Sequence, residues 1–230
     1  MTDAKPRIEL ELDGIRFLFP NFITPVIPKD REGKPAKGQD PRFDGTIMIP
    51  KDSKYVPAIR SKFREALASE FGAGNVPDNF AGYQLPIHDG DKRADQKKAD
   101  IENKVPRAKE SEFTRGYWLL TVKSGEKYAP ALATVVNGQP TNLLSDELRK
   151  QHASKFYSGV AGGCTINFRA FRPFGNQKEP GLSCFLNEAF SLNEGEKVAD
   201  GGGRDPAAKM SGYAGKSSDV DPTARSASGF

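Results

Sequence analysis

Gly163-Cys164-Thr165-Ile166-Asn167-Phe168-Arg169-Ala170-Phe171 alternates apolar with polar or mixed side chains. Successive side chains of a strand point to opposite faces. Cys164, Ile166 and Phe168 therefore line one face, and Thr165, Asn167, Arg169 and Phe171 the other. The stretch from Arg115 to Lys123 repeats the pattern. Trp118, Leu120 and Val122 are its apolar face, and Arg115, Tyr117, Leu119, Thr121 and Lys123 lie opposite. Each strand pairs a buried face with one that mixes cations and aromatics.

Outward from these two, further strands are predicted over Ile8 to Phe19, Phe43 to Ile49, Ala131 to Val136 and Leu182 to Leu192, with the first quoted strand running from Gly162 to Phe174. One clear helix is predicted from Ile59, Phe63, Ala66, Leu67 and Phe71, which share a helical face. Asp52 or Ser53 starts it, and Gly72 and Gly74 stop it. A short helix is expected from Ser145 to about Phe156. The proline-rich run from Pro25 to Pro41 reads as a loop. Residues 89–112, dense in both signs of charge, read as a solvated insertion or as an arm that touches phosphates. The fold expected is mainly β: a small antiparallel β-barrel with one main helix, long insertions and a flexible C-terminal tail. Residues 1–195 form the domain and 196–230 the tail. The tail's five basic and five acidic residues cancel, and its scattered apolar residues cannot offset the entropy of ordering it. It ends on Phe230, an aromatic that fits a hook for a partner.

Composition narrows the classes. At 230 residues and 37% hydrophobic the chain can bury a core. No run approaches the ~18 apolar residues of a membrane span, and Met1 to Pro6 lacks the apolar core of a signal peptide. Two cysteines, Cys164 and Cys184, read as buried thiols of a reducing compartment, and with the distant His88 and His152 they match no zinc spacing. There is no phosphate loop, dinucleotide fingerprint or nucleophile elbow, so neither catalysis nor a cofactor or metal is expected. Net charge is +4, from 34 basic and 30 acidic residues, too small an excess to name a partner.

The mixed faces are more informative. An unpaired base stacks on any aromatic ring, while Arg and Lys neutralise phosphates. Exposed aromatics on strands also serve plain cross-strand packing. The candidate nucleic-acid contacts are Arg115, Tyr117, Lys123, Asn167, Arg169 and Phe171, joined from the loops by Arg42, Lys51, Arg172, Phe174, Lys178 and Phe22. Arg169, Arg172 and Lys178 would surround Phe171 and Phe174 as one basic–aromatic cluster. Phe17 and Phe19, on one face with Ile15, are expected in the core. The competing readings are a metal-dependent nuclease centred on His88, Asp89 and Asp91, whose side chains suit a divalent ion, and a virion or scaffold protein whose aromatic strands serve assembly.

Several motifs resemble a family of tailed-phage single-stranded DNA-binding proteins. They are Phe19-Pro20-Asn21-Phe22, Phe43-Asp44-Gly45-Thr46-Ile47-Met48-Ile49-Pro50-Lys51 and Leu85-Pro86-Ile87-His88-Asp89-Gly90-Asp91, then Tyr157-Ser158-Gly159, Asn167-Phe168-Arg169-Ala170-Phe171 and Gly181-Leu182 to Asn187. The resemblance spans about residues 8–195. It implies an oligonucleotide/oligosaccharide-binding (OB) barrel that coats single-stranded DNA in phage replication, recombination or repair, in the cytoplasm of the bacterial host, without sequence preference or catalysis. Many such proteins recruit replication enzymes of phage or host through an acidic tail closed by an aromatic. Phe230 matches that pattern and the balanced tail charge departs from it. Self-association is a further partner class that the sequence leaves open. The resemblance brings no contact residues with it, so the candidates stand on the face argument.

Overall fold

The computed structural model describes residues 7–28, 34–36, 38–105, 111–173 and 178–198. Its elements are β1 (Ile8–Val26), β2 (Arg42–Pro50), α1 (Tyr55–Phe71), β3 (Ile87–Asp89), α2 (Gly90–Glu102), β4 (Tyr117–Gly125), β5 (Ala131–Val136), β6 (Gln139–Asn142), α3 (Asp146–Gln151), β7 (Ala161–Phe171) and β8 (Gly181–Ser191). Phe174, Phe230 and the tail beyond residue 198 lie outside the described residues.

β1 pairs antiparallel with β2 and β7, β2 with β4, and β7 with β8. A parallel contact at Lys123 and Phe185 joins β4 to β8, so the five strands close in the order β1-β2-β4-β8-β7. That is the circuit of an OB barrel. β3 extends the wall beyond β4, and the β5–β6 hairpin attaches to β8. The inward residues are the ones alternation selects: Ile47 and Ile49, Leu120 and Val122, Cys164, Ile166 and Phe168, Leu182, Cys184 and Leu186. Both thiols are buried and free. α1 lays Ile59, Phe63, Ala66 and Leu67 on this core, with the Phe63 ring edge-on to Phe168 at 5.0 Å.

Three features depart from the sequence reading. β1 does not end near Phe19 but runs on to Val26 through an irregularity. Three steps along β1 from Leu18 to Asn21 match two along β2 from Thr46 to Asp44. The extra residue reverses which side chains point inward. Phe19, at φ +51, is turned outward rather than into the core, and Phe22 is fully buried rather than available to a ligand. The Phe22 ring lies edge-on to Phe17 at 5.3 Å and fills the space a side chain at Gly45 would need, 2.6 Å from that position.

Residues 89–112 hold the second departure, the helix α2. With almost no apolar stripe it carries no helical signal in hydropathy. It is anchored at its start instead: Asp89 caps it, accepting from the Asp91 N–H at 2.9 Å, and Thr114 Oγ1 donates to the Gly90 carbonyl at 2.8 Å. A side chain at Gly90 would meet the Thr114 carbonyl oxygen at 2.0 Å. The third departure is the late helix, which is confined to Asp146–Gln151 with one 3-10 turn after it.

Candidate nucleic-acid interface

Closure of the barrel decides which outward side chains share a surface. Cα partners run from Asn167 to Phe185, from Phe185 to Lys123, from Lys123 to Asp44 and from Asp44 to Asn21. Directly opposed residues project to the same face, so these five make one row across all five strands. Lys123 Nζ lies 5.8 Å from the centre of the Phe185 ring. Burial pushes its ammonium below the ordinary lysine value, and the charge of Arg42 adds to the shift. A half-desolvated cation of this kind gains from an arriving anion. Arg42 sits one row along, opposite Gly125, with Nε 3.5 Å from Asp44 Oδ2. Asn21 Nδ2 donates to the other Asp44 oxygen at 2.9 Å.

At the β7–β8 end the row opens into a groove of about 640 Å³, lined by Arg7, Tyr128, Asn167, Arg169, Phe185 and Asn187 among others. Tyr128 is 77% exposed. Arg169 stands opposite Ser183, exposed, with no carboxylate partner among the described residues. A neighbouring groove of about 430 Å³ brings Phe171 and Arg172 beside Arg169 and Phe185. The Phe171 ring leans over Gly181, where a Cβ would come within 2.7 Å of it. Arg172 belongs to this cluster by position, yet its Nε donates to Glu70 Oε1 at 2.7 Å and its guanidinium lies over Phe71. Lys178 is exposed at the end of the same hairpin loop.

The Tyr117 end of the β4 face is largely closed. Leu18, Met48 and Leu119, all outward on the barrel wall, are buried in a second small core with Phe113 and Tyr117 packed against it. Phe113 sits in the 3-10 turn Glu112–Thr114, just after the insertion, and packs against this part of the wall. Tyr117 is therefore half-buried, and the β4 face opens only toward Thr121 and Lys123.

Two more predicted contacts are tied to acids. Arg115 lies before β4 rather than on it, and bonds Glu112 Oε2 at 2.6 Å and Asp95 Oδ1 at 2.7 Å. These carboxylates raise its already high pKa. Lys51 Nζ bonds Asp89 Oδ1 and Asp91 Oδ2, each at 2.7 Å, and lies 5.1 Å from the centre of the Trp118 ring. Both carboxyls are held below their ordinary range, chiefly by Lys51. Asp91 also accepts from the Gly116 N–H at 2.7 Å. Among the described residues no three metal-ligating side chains converge. His88 does not join the two acids. It pairs with Leu119 on the outward face, and burial, then Arg93, lowers its pKa.

Sequence reasoning missed Phe185, Tyr128 and Asn187. The alternation of Leu182, Cys184 and Leu186 already places Phe185 and Asn187 outward. Nothing local reveals that β8 lies between β7 and β4 and bridges them.

A closed five-strand barrel that gathers cations and rings in a groove on its outer face belongs to the class of OB-type single-strand-binding proteins. The chain is a member of the family of the Enterobacter phage Enc34 ssDNA-binding protein, whose family model matches residues 9–220. In fold it is similar to the single-stranded DNA-binding protein of bacteriophage Enc34, with TM-score 0.58 and 14% identity over 91% of this chain and 97% of that one. The same phage protein in complex with ssDNA gives TM-score 0.57 and 15% identity over 86% and 97% of the two chains. No curated protein matches the chain in sequence.

Proposed function

We propose that this protein binds single-stranded DNA without sequence preference, serving phage DNA replication, recombination or repair in the infected bacterium, and that it does so without catalysis. The observation that carries the reading is the outward row from Asn21 to Asn167 and its continuation into the groove that holds Arg169. Arg169, Lys123 and Lys178 supply cations for phosphates, and Arg42 takes a lesser part because Asp44 holds it at 3.5 Å. Phe185, Phe171 and Tyr128 supply rings on which any base can stack, for about 1–3 kcal/mol each. Tyr117 is given a lesser part because of its packing. Arg115, Lys51 and Arg172 are given none, their charges being matched by carboxylates. Family membership supports the same reading. A nuclease on Asp89 and Asp91 has less behind it, since both acids are engaged by Lys51.

The test is anisotropy of labelled oligo-dT at two salt concentrations with duplex competitor. Affinity is expected to fall with a log–log salt slope of about −0.7 per phosphate contacted, duplex to compete poorly, and Phe185→Ala to cost about 1–3 kcal/mol. A flat salt response, or duplex competing as well as single strand, overturns the proposal.

A further inference from the structure

Three polar side chains form a chain of hydrogen bonds that leads from the groove to Glu9 on β1. Asn167 Nδ2 donates to Asn187 Oδ1 at 2.7 Å, and Asn187 Nδ2 donates to Glu9 Oε1 at 3.1 Å. The direction of this chain is not arbitrary. A carboxylate only accepts, so Asn187 must turn its NH₂ toward Glu9, leaving its oxygen for Asn167. Asn167 in turn spends an N–H on that oxygen and is left with Oδ1, which has no partner among the described residues. Asn167 and Asn187 both line the groove, beside the ring of Phe185 and the guanidinium of Arg169. Glu9 thus fixes an acceptor where an amide alone presents either end.

An acceptor oxygen repels phosphate and attracts an N–H. Every DNA base has an N–H on its Watson–Crick edge: N6 of adenine, N4 of cytosine, N1 of guanine and N3 of thymine. In a duplex these donors are used by the opposite strand. We infer that Asn167 Oδ1 accepts the Watson–Crick N–H of an unpaired base, and that Glu9, acting through Asn187, is the positioning residue that keeps this oxygen presented. Such an acceptor distinguishes an open base from a paired one while treating the four bases alike. The inference rests on the single-strand-binding reading above and assigns a role to Asn167 in that same groove.

The probe is oligo-dT against an oligomer of N3-methylthymidine, which keeps charge and ring and lacks the N–H. Wild type is expected to bind oligo-dT about two- to tenfold more tightly, the range of one net hydrogen bond. In Glu9→Gln the neutral amide both donates and accepts, the chain runs either way, and that ratio falls toward one. The lost charge raises affinity for both oligomers alike and leaves the ratio untouched. Adding Asn187→Asp to Glu9→Gln restores an acceptor-only group next to Asn167, and the ratio returns. Rescue of this kind does not follow from a merely structural role for Glu9. Equal wild-type affinities, a ratio unchanged in Glu9→Gln, or failed rescue each overturn the inference while leaving single-strand binding intact. No binding of unmodified oligo-dT overturns the function itself.

Discussion

Replacing Arg169 by Ala removes a cation that has no acidic partner among the described residues and stands in the groove wall. Replacing Arg115 by Ala removes one already held by Glu112 and Asp95. The two deletions take away the same charge and differ in local pairing and in place, Arg169 lining the groove and Arg115 standing before β4, so together they test where the interface lies. An exposed cation–phosphate contact contributes up to about 1 kcal/mol, about fivefold in affinity. It also contributes about 0.7 to the log–log salt slope. Over a fourfold rise in salt, from 50 to 200 mM, that slope corresponds to about 2.6-fold. The Arg169→Ala defect should therefore shrink from about fivefold at the lower salt to about twofold at the higher, read by anisotropy of labelled oligo-dT. Arg115→Ala should leave both affinity and slope near wild type. Equal losses of slope in the two variants would refute the assignment of the interface to the groove that holds Arg169 rather than to the acid-paired Arg115.

Two further perturbations test the fold that carries the interface. Phe22→Ala should cost about 3–5 kcal/mol in denaturant unfolding, whereas Phe19→Ala should stay within about 1 kcal/mol; comparable costs would contradict the parity reversal in β1. The Lys51–Asp89–Asp91 cluster should have a stability window in pH. The lowered carboxyl pKa values contribute stability that is present above the unfolded carboxyl range and lost as pH falls through the depressed values. The raised Lys51 contributes stability that is present below the unfolded lysine value and lost as pH climbs past it. Emission of Trp118, the one tryptophan, under Lys51 at 5.1 Å, should be flat between roughly pH 4 and 10 and change on both sides. Lys51→Met should abolish the alkaline limb and weaken the acid one, because Asp89 and Asp91 keep their backbone N–H donors; an alkaline limb that persists in that variant would assign that transition to another group.

Sequence alternation reads true wherever a strand stays regular. Trp118, Leu120 and Val122, and Cys164, Ile166 and Phe168, are inward as the period of two requires, and the helical stripe from Ile59 to Leu67 is core. Alternation fails at β1 because one extra residue between Leu18 and Asn21 shifts the parity of everything after it, and hydropathy carries no mark of that residue. It is silent on α2, which is held by a cap, by Thr114 and by Lys51 rather than by an apolar stripe. It is equally silent on the closed part of the β4 face. Leu119 reads as an apolar residue on an open face, and its cover, Phe113, sits in the 3-10 turn that precedes β4.

What the amino-acid order determined by itself is local and directional: which face of each strand is apolar, where the main helix lies, and that cations and rings share the outward side. The tertiary structure alone decided which of those outward residues meet. Lys123 and Asn167 lie 44 positions apart (167 − 123) and come together because the β8 residue Phe185 is partner to both. Lys51 and Arg115 are instead paired by acids distant in the chain or from the insertion. The physical reason is range. Side-chain alternation is set by the backbone within a few residues, whereas pairing of charges and closure of a barrel depend on distances in space, which no local pattern encodes.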